Sequence, residues 1–324
     1  MPLVSLGLCL VGLMALLLGA ELLTRGGSNL AAQLGVAPII IGLTVVAVGT
    51  SAPELAVGID AGLQGNGPLA VGNIAGTNIV NLLLILGLSA LFEPIAIRMQ
   101  TLRMDLPVMI VAASTMLLMV MDGNLTHLDG AILITAGVIY TMVVIRMAER
   151  ESRAVRAAFA NEYRTPRNGW RVRRTMVRDT TTLLGGIVII VVAADWFVDG
   201  AVDLARYVGV SDAFIGLTVV AIGTSSPELA TTIVSTLKKQ RDIAIGNLLG
   251  SSIYNIFFIL GATCFVVEIP VSPLLKSVDI PIMALVACAC LPVFLTGKRV
   301  SRGEGGLFVC AYGAYLAYLL IYRT

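Results

Sequence analysis

The stretch Gly42-Leu-Thr-Val-Val-Ala-Val-Gly-Thr-Ser-Ala-Pro-Glu-Leu-Ala56 decides the architecture, because the chain carries it twice. It returns as Gly216-Leu-Thr-Val-Val-Ala-Ile-Gly-Thr-Ser-Ser-Pro-Glu-Leu-Ala230, displaced by 174 residues. Around it, residues 36–90 align without a gap to residues 210–264, with 26 of 55 positions identical. Each copy places a glutamate, Glu54 or Glu228, directly after a proline in an otherwise apolar run. A carboxylate at membrane depth is costly, so its duplication points to an ion pathway rather than to a packing detail.

Composition makes membrane depth the right frame. The chain is 57% hydrophobic and 13% charged, whereas a soluble domain carries about 25% charged residues. Its mean hydropathy is +0.92. Ten apolar spans are expected, near 3–23, 36–63, 68–92, 104–121, 128–147, 179–201, 212–237, 242–267, 277–296 and 306–322. The predicted fold is an all-α membrane protein. The first run lacks a basic leader and is too long for a signal-peptide core, so it is read as a retained span. The single histidine, His127, falls in the polar stretch Asp122–Asp129, read as a loop, and the five cysteines lie in apolar runs without a CxxC pair. Zinc and thiol redox chemistry are therefore not expected.

The loops are short except for an Arg-rich segment, residues 148–178, read as a cytoplasmic linker between halves 1–147 and 179–324. A contact of its arginines with anionic lipid headgroups is a second reading. Alternating the spans from that anchor puts 19 of the 22 Lys and Arg residues in the cytoplasm and the N-terminus outside, as the positive-inside rule requires. The two repeats then lie five spans apart and cross in opposite directions. Two inverted five-span halves bring equivalent residues together near the membrane midplane. The repeat reaches back into spans 1 and 6, where Glu21 aligns with Asp195 and Gly26 with Gly200.

The repeated residues are suited to hard cations. Pro53 and Pro227 cannot donate to the carbonyl four residues earlier, so each breaks its helix near Gly49 or Gly223. Irregular backbone at membrane depth is tolerated where it lines a cavity or is buried in protein. Thr50, Ser51, Thr224 and Ser225 bring hydroxyl oxygens to the breaks, and Glu54 and Glu228 bring charge. An all-oxygen set suits Ca²⁺ or Na⁺, and Ca²⁺ takes about 6–8 oxygens. A second repeated motif follows: Gly72-Asn-Ile-Ala-Gly-Thr-Asn-Ile-Val-Asn81 matches Gly246-Asn-Leu-Leu-Gly-Ser-Ser-Ile-Tyr-Asn255. Thr77 and Asn81 share one helix face, as do Ser251 and Asn255. The GxxxG pairs Gly72/Gly76 and Gly246/Gly250 allow close helix approach.

At these motifs the chain resembles the cation/calcium exchanger superfamily, specifically the small prokaryotic sodium–calcium exchangers, over essentially its whole length. The resemblance implies a four-helix core from spans 2, 3, 7 and 8, across which spans 1 and 6 slide. It implies that Glu54 and Glu228 bind Ca²⁺ and Na⁺ in competition, with Thr50, Ser51, Thr224, Ser225, Thr77, Asn81 and Ser251 as further ligands and Ala47 and Ala221 as carbonyl donors. One position departs: some members carry an aspartate where this chain has Asn255. Two carboxylates then leave the empty site at −2, which one Ca²⁺, two Na⁺ or two H⁺ neutralise. Potassium dependence is not expected.

The reading is an antiporter exchanging Ca²⁺ for Na⁺ by alternating access in a bacterial inner membrane, with Ca²⁺/H⁺ exchange as the alternative. A channel fits inverted, proline-broken repeats less well. An intramembrane hydrolase lacks a GxSxG motif and a histidine outside loops. No enzyme activity, no cofactor, no nucleic acid and no obligate protein partner are expected, only the ions and membrane lipid.

Overall fold

A computed structural model describes residues 2–65, 67–149, 169–209 and 221–322. Helices dominate. They run α1 Pro2–Leu34, α2 Pro38–Thr50, α3 Ala52–Leu63, α4 Leu69–Phe92, α5 Thr101–Asp122 and α6 His127–Glu149 in the first half. The second half has α7 Gly169–Tyr207, α8 Ala221–Thr224, α9 Ser226–Leu237, α10 Arg241–Val266, α11 Leu275–Lys298 and α12 Arg302–Tyr322. Among the described residues eight helices are long and apolar enough to span a membrane, and the bent pair α2–α3 makes a ninth. The tenth expected span, 212–237, begins in residues outside the described set; α8 and α9 are its described part.

Burial sorts the helices. The apolar windows of α4 and α10 are 78% and 94% buried, against 28% for α1 and α7 and 17% for α12. The interior is thus built on α4 and α10, packed with α2, α3 and α9. The outer helices turn large apolar side chains such as Leu17, Val188, Leu285 and Leu307 outward, which suits lipid as the surrounding solvent.

Helices α1 and α7, equivalent in the two repeats, run oppositely. Cβ atoms built on Gly12 and Gly26 of α1 would strike the backbone of Phe197 and Leu183, and those on Gly186 and Gly200 of α7 the backbone of Leu23 and Cys9. As α1 advances, its contacts on α7 recede, so these equivalent helices are antiparallel. The loops repeat the pattern. Strand β1 (Ile95–Ala96) pairs antiparallel with β4 (Arg299–Val300), and β2 (Asn124–Leu125) with β3 (Ile269–Pro270), so each pairing joins one half to the other. Gly65 and Lys239, 174 residues apart, both close a helix with positive φ, 72° and 62°.

Three elements differ from the sequence reading. Helix α1 extends to Leu34 rather than ending near Leu23, and α7 begins at Gly169, inside the stretch read as linker. The polar residues that suggested an end to α1 find partners instead: Thr24 Oγ1 lies 2.8 Å from Ser235 Oγ, and Ser28 donates to Gln240 Oε1 at 3.0 Å. At 33 and 39 residues both helices exceed the roughly 20 needed to cross a bilayer, so they tilt or protrude. His127 starts α6 instead of lying in a loop, its Nδ1 2.9 Å from the Cys264 carbonyl.

Candidate functional site

The site begins at two matched breaks. Helix α2 stops at Thr50 and α3 starts at Ala52, bent by 43°. Ser51 between them has φ −86° and ψ 10°. Ser225, between α8 and α9, has φ −87° and ψ 8°. The proline therefore sits in the first turn of the new helix, where its missing N–H costs nothing. Glu54 and Glu228 follow in that same turn, where the positive end of the helix dipole favours an anion. Both are almost completely buried.

Contacts across the halves bring the candidate residues together. Ser51 Oγ donates to Glu228 Oε1 at 3.3 Å, and Ser251 Oγ to the same oxygen at 3.5 Å. Thr50 Oγ1 lies 3.5 Å from Ser251 Oγ and donates to Asn247 Oδ1 at 3.1 Å. Gly250 makes this approach possible, since a Cβ there would lie 2.7 Å from the Ala47 Cβ. The Ala47 carbonyl accepts from Ser51 N at 3.1 Å and lies 3.4 Å from Thr50 Oγ1. Glu54 lies in the field of Glu228. Thr77, Asn81, Ser225 and Asn255 are buried. Thr224 ends α8 and Ala221 begins it; the rest of the second repeat's approach to its break, residues 210–220, lies outside the described residues.

Hydrogen bonding leaves much of this cluster unanswered. Glu54 Oε1 and Oε2, Glu228 Oε2, Asn81 Oδ1, Asn255 Oδ1 and Ser225 Oγ are buried without a hydrogen-bond partner. Buried polar groups are nearly always paired, so these oxygens are acceptors that the protein itself leaves unused.

Several residues escaped the sequence reading. Asn247 bridges Thr50 and Thr232, donating to Thr232 Oγ1 at 3.3 Å. Asn78 donates to the Ser252 carbonyl at 3.3 Å and accepts from Asn255 Nδ2 at 3.4 Å. Asn247 was visible as a repeated letter of the second motif; Asn78 was not, because its counterpart is a serine. A second carboxylate pair, Asp105 and Asp279, also obeys the 174-residue offset, beyond the aligned block. Tyr140 donates to Asp105 at 3.3 Å and Tyr315 to Asp279 at 2.8 Å, tying α6 to α5 and α12 to α11. Glu21 pairs with Lys238 at 2.5 Å beside a cavity of about 240 Å³ that Thr24, Arg25, Ser28, Asn29 and Gln240 also line. No cluster of three or more His, Cys, Asp or Glu suited to a metal occurs among the described residues.

A predominantly helical membrane protein built on two repeats, with broken helices that carry buried carboxylates, has the build of a secondary transporter. The pattern of the sodium/calcium exchanger protein family matches the chain twice, over residues 4–146 and 179–321. The chain belongs to that family. It is 35% identical to the inner membrane protein YrbG of Escherichia coli (strain K12), over 98% of this chain and 97% of that one. It is 30% identical to the sodium/calcium exchanger MaX1 of Methanosarcina acetivorans, over 96% and 97%. Its structure is similar to that of the sodium-calcium exchanger NCX_Mj, with a TM-score of 0.85, 27% identity, and 98% and 100% of the two chains covered.

Proposed function

We propose that this protein exchanges Ca²⁺ for Na⁺ across the cell membrane by alternating access to one site between the two helix breaks. The observation that carries the reading is the set of buried oxygens without partners, both carboxylate oxygens of Glu54 among them. An unpaired buried carboxylate is strongly unfavourable, and a cation held among these oxygens removes that cost. The donors are hard oxygens, which suit Ca²⁺ and Na⁺ and not soft metals. Glu54 and Glu228 supply the charge. Ser51 and Ser251 steady the Glu228 carboxylate, and Thr50, Thr77, Thr224, Ser225, Asn81, Asn255 and the carbonyls of Ala47 and Ala221 complete the set. The build, the family and the sodium/calcium exchangers similar to this chain all favour the same reading.

The orientation proposed with it has the N-terminus outside and residues 148–178 in the cytoplasm of a bacterial inner membrane, on the strength of the charge asymmetry. The test is ⁴⁵Ca uptake into proteoliposomes under separately imposed Na⁺, K⁺ and H⁺ gradients. Uptake driven by an outward Na⁺ gradient is expected. Uptake driven only by a proton gradient would replace Na⁺ with H⁺ at the same two carboxylates, and uptake needing no counter-ion would overturn exchange altogether.

A further inference from the structure

We propose that Asn78 is a positioning residue, which turns the side-chain amide of Asn255 so that its carbonyl oxygen faces the transported cation and keeps that position electrically neutral. The inference rests on the cation-site reading above and adds a residue and a charge rule to it.

Asn78 and Ser252 are equivalent positions, one in each half, 174 residues apart. They touch, with Asn78 Nδ2 donating to the Ser252 carbonyl at 3.3 Å. A residue in contact with its own counterpart lies on the axis that relates the halves. A backbone carbonyl only accepts, so Asn78 must point its NH₂ group at it. The Met283 sulfur, 3.6 Å from the same nitrogen, also accepts. Asn78 Oδ1 then faces the other way and accepts from Asn255 Nδ2 at 3.4 Å. Asn255 commits its donor to that bond. Its Oδ1 is left buried and without a hydrogen-bond partner. The direction of one main-chain carbonyl is thereby passed through two amides and emerges as an acceptor.

The other half lacks this relay. Asn81 is the counterpart of Asn255, and neither of its amide atoms has a hydrogen-bond partner. Where Asn78 would stand there is Ser252, whose hydroxyl makes no such bond. One ligand amide is held and the other is not, although the two sequences around them match. The relay also has a charge consequence. An ionised carboxylate at position 255 has no donor, so it would set an acceptor against Asn78 Oδ1 for as long as Asn78 keeps its bond to Ser252. Asn78 therefore selects a neutral amide, and with it a site of two negative charges.

The test is Ca²⁺ uptake by full-length protein in proteoliposomes, with KM and turnover measured for Asn78→Leu, Asn78→Ser, Asn255→Leu and the double variant Asn78→Leu/Asn255→Leu. Groups that orient a metal ligand typically contribute about 10–100-fold to affinity. Both Asn78 variants should raise the Ca²⁺ KM about tenfold with turnover at saturating Ca²⁺ little changed, and the double variant should be no weaker than Asn255→Leu alone. If Asn78→Leu does not reach the membrane folded, Asn78→Ser, which carries the side chain native to the equivalent position, supplies the readout. An unchanged KM, or an equal loss when Asn255 is already leucine, would overturn the proposal, because Asn78 would then act on packing and not through Asn255. Glu54→Gln is measured alongside: retained transport there removes the cation site itself, whereas its loss with an unchanged KM in the Asn78 variants removes only this inference.

Discussion

At the scale of single residues, charge dominates. Glu54 and Glu228 supply the formal charge proposed to hold the ion, and removing one of the carboxylates that pair with a desolvated cation costs on the order of 3–5 kcal/mol. Glu54→Gln and Glu228→Gln should each nearly abolish Ca²⁺ uptake; more than half of wild-type flux at equal membrane abundance would exclude the site. Asn255→Asp should give a protein whose transport recovers in acid, since a proton on the new carboxyl both removes the third charge and restores a donor toward Asn78. The wild type should show no such recovery, which flux measured between about pH 5.5 and 8.5 checks. The glutamates were legible in the sequence because a charge repeated within apolar runs is too costly to be incidental. Asn78 was not, because its meaning lies in bonds to residues far along the chain.

At the scale of helices, the breaks and the close crossings do the positioning. Gly246 and Gly250 bring α10 against α2, where a Cβ on Gly246 would lie 2.7 Å from the Ile39 carbonyl and one on Gly250 2.8 Å from that of Leu43. Gly250→Val should destabilise by about 1–3 kcal/mol through overpacking and push Ala47 and Thr50 away from Ser251. A lowered Tm together with a raised Ca²⁺ KM is the expected outcome; a change in Tm alone would separate packing from the site. Hydropathy located the nine spans seen among the described residues, but not their lengths. Thr24 and Ser28 look like the end of a membrane helix until Ser235 and Gln240 are known to meet them. Wide π-type turns at Val80–Ile85 and Asn255–Leu260, which include Asn81 and Asn255, left no mark in the residue pattern. Such turns are frequent at functional sites.

At the scale of the molecule, counting spans between two copies of one motif leads to an inverted arrangement, and the antiparallel α1 and α7 agree with it. Cysteines placed at Gly65 and Lys239, in a background without the five native cysteines, should react with a membrane-impermeant thiol reagent from opposite sides. Labelling of both from the outside of intact cells would refute the inverted arrangement. The strand pairings β1–β4 and β2–β3 each join the two halves. Residues 1–149 and 169–324, produced as two separate chains, are accordingly expected to assemble and transport, which co-expression and co-purification would check.

The clasp between α1 and α9 shows what the inversion leaves unbalanced. Two copies of one part, set in opposition, would give two resting poses of equal energy if the copies were identical. They are not. Glu21 with Lys238, Thr24 with Ser235 and Ser28 with Gln240 join α1 to α9, while the equivalent pairs are Asp195 with Gln64, Val198 with Ala61 and Val202 with Asn66. Each of these hydrogen bonds contributes about 1 kcal/mol. About 1.4 kcal/mol is already a tenfold preference between poses. For the exchange proposed above, the differences between the repeats act as a weight on one arm of an otherwise level balance, and the side on which such a carrier waits is set where the duplication failed to copy itself.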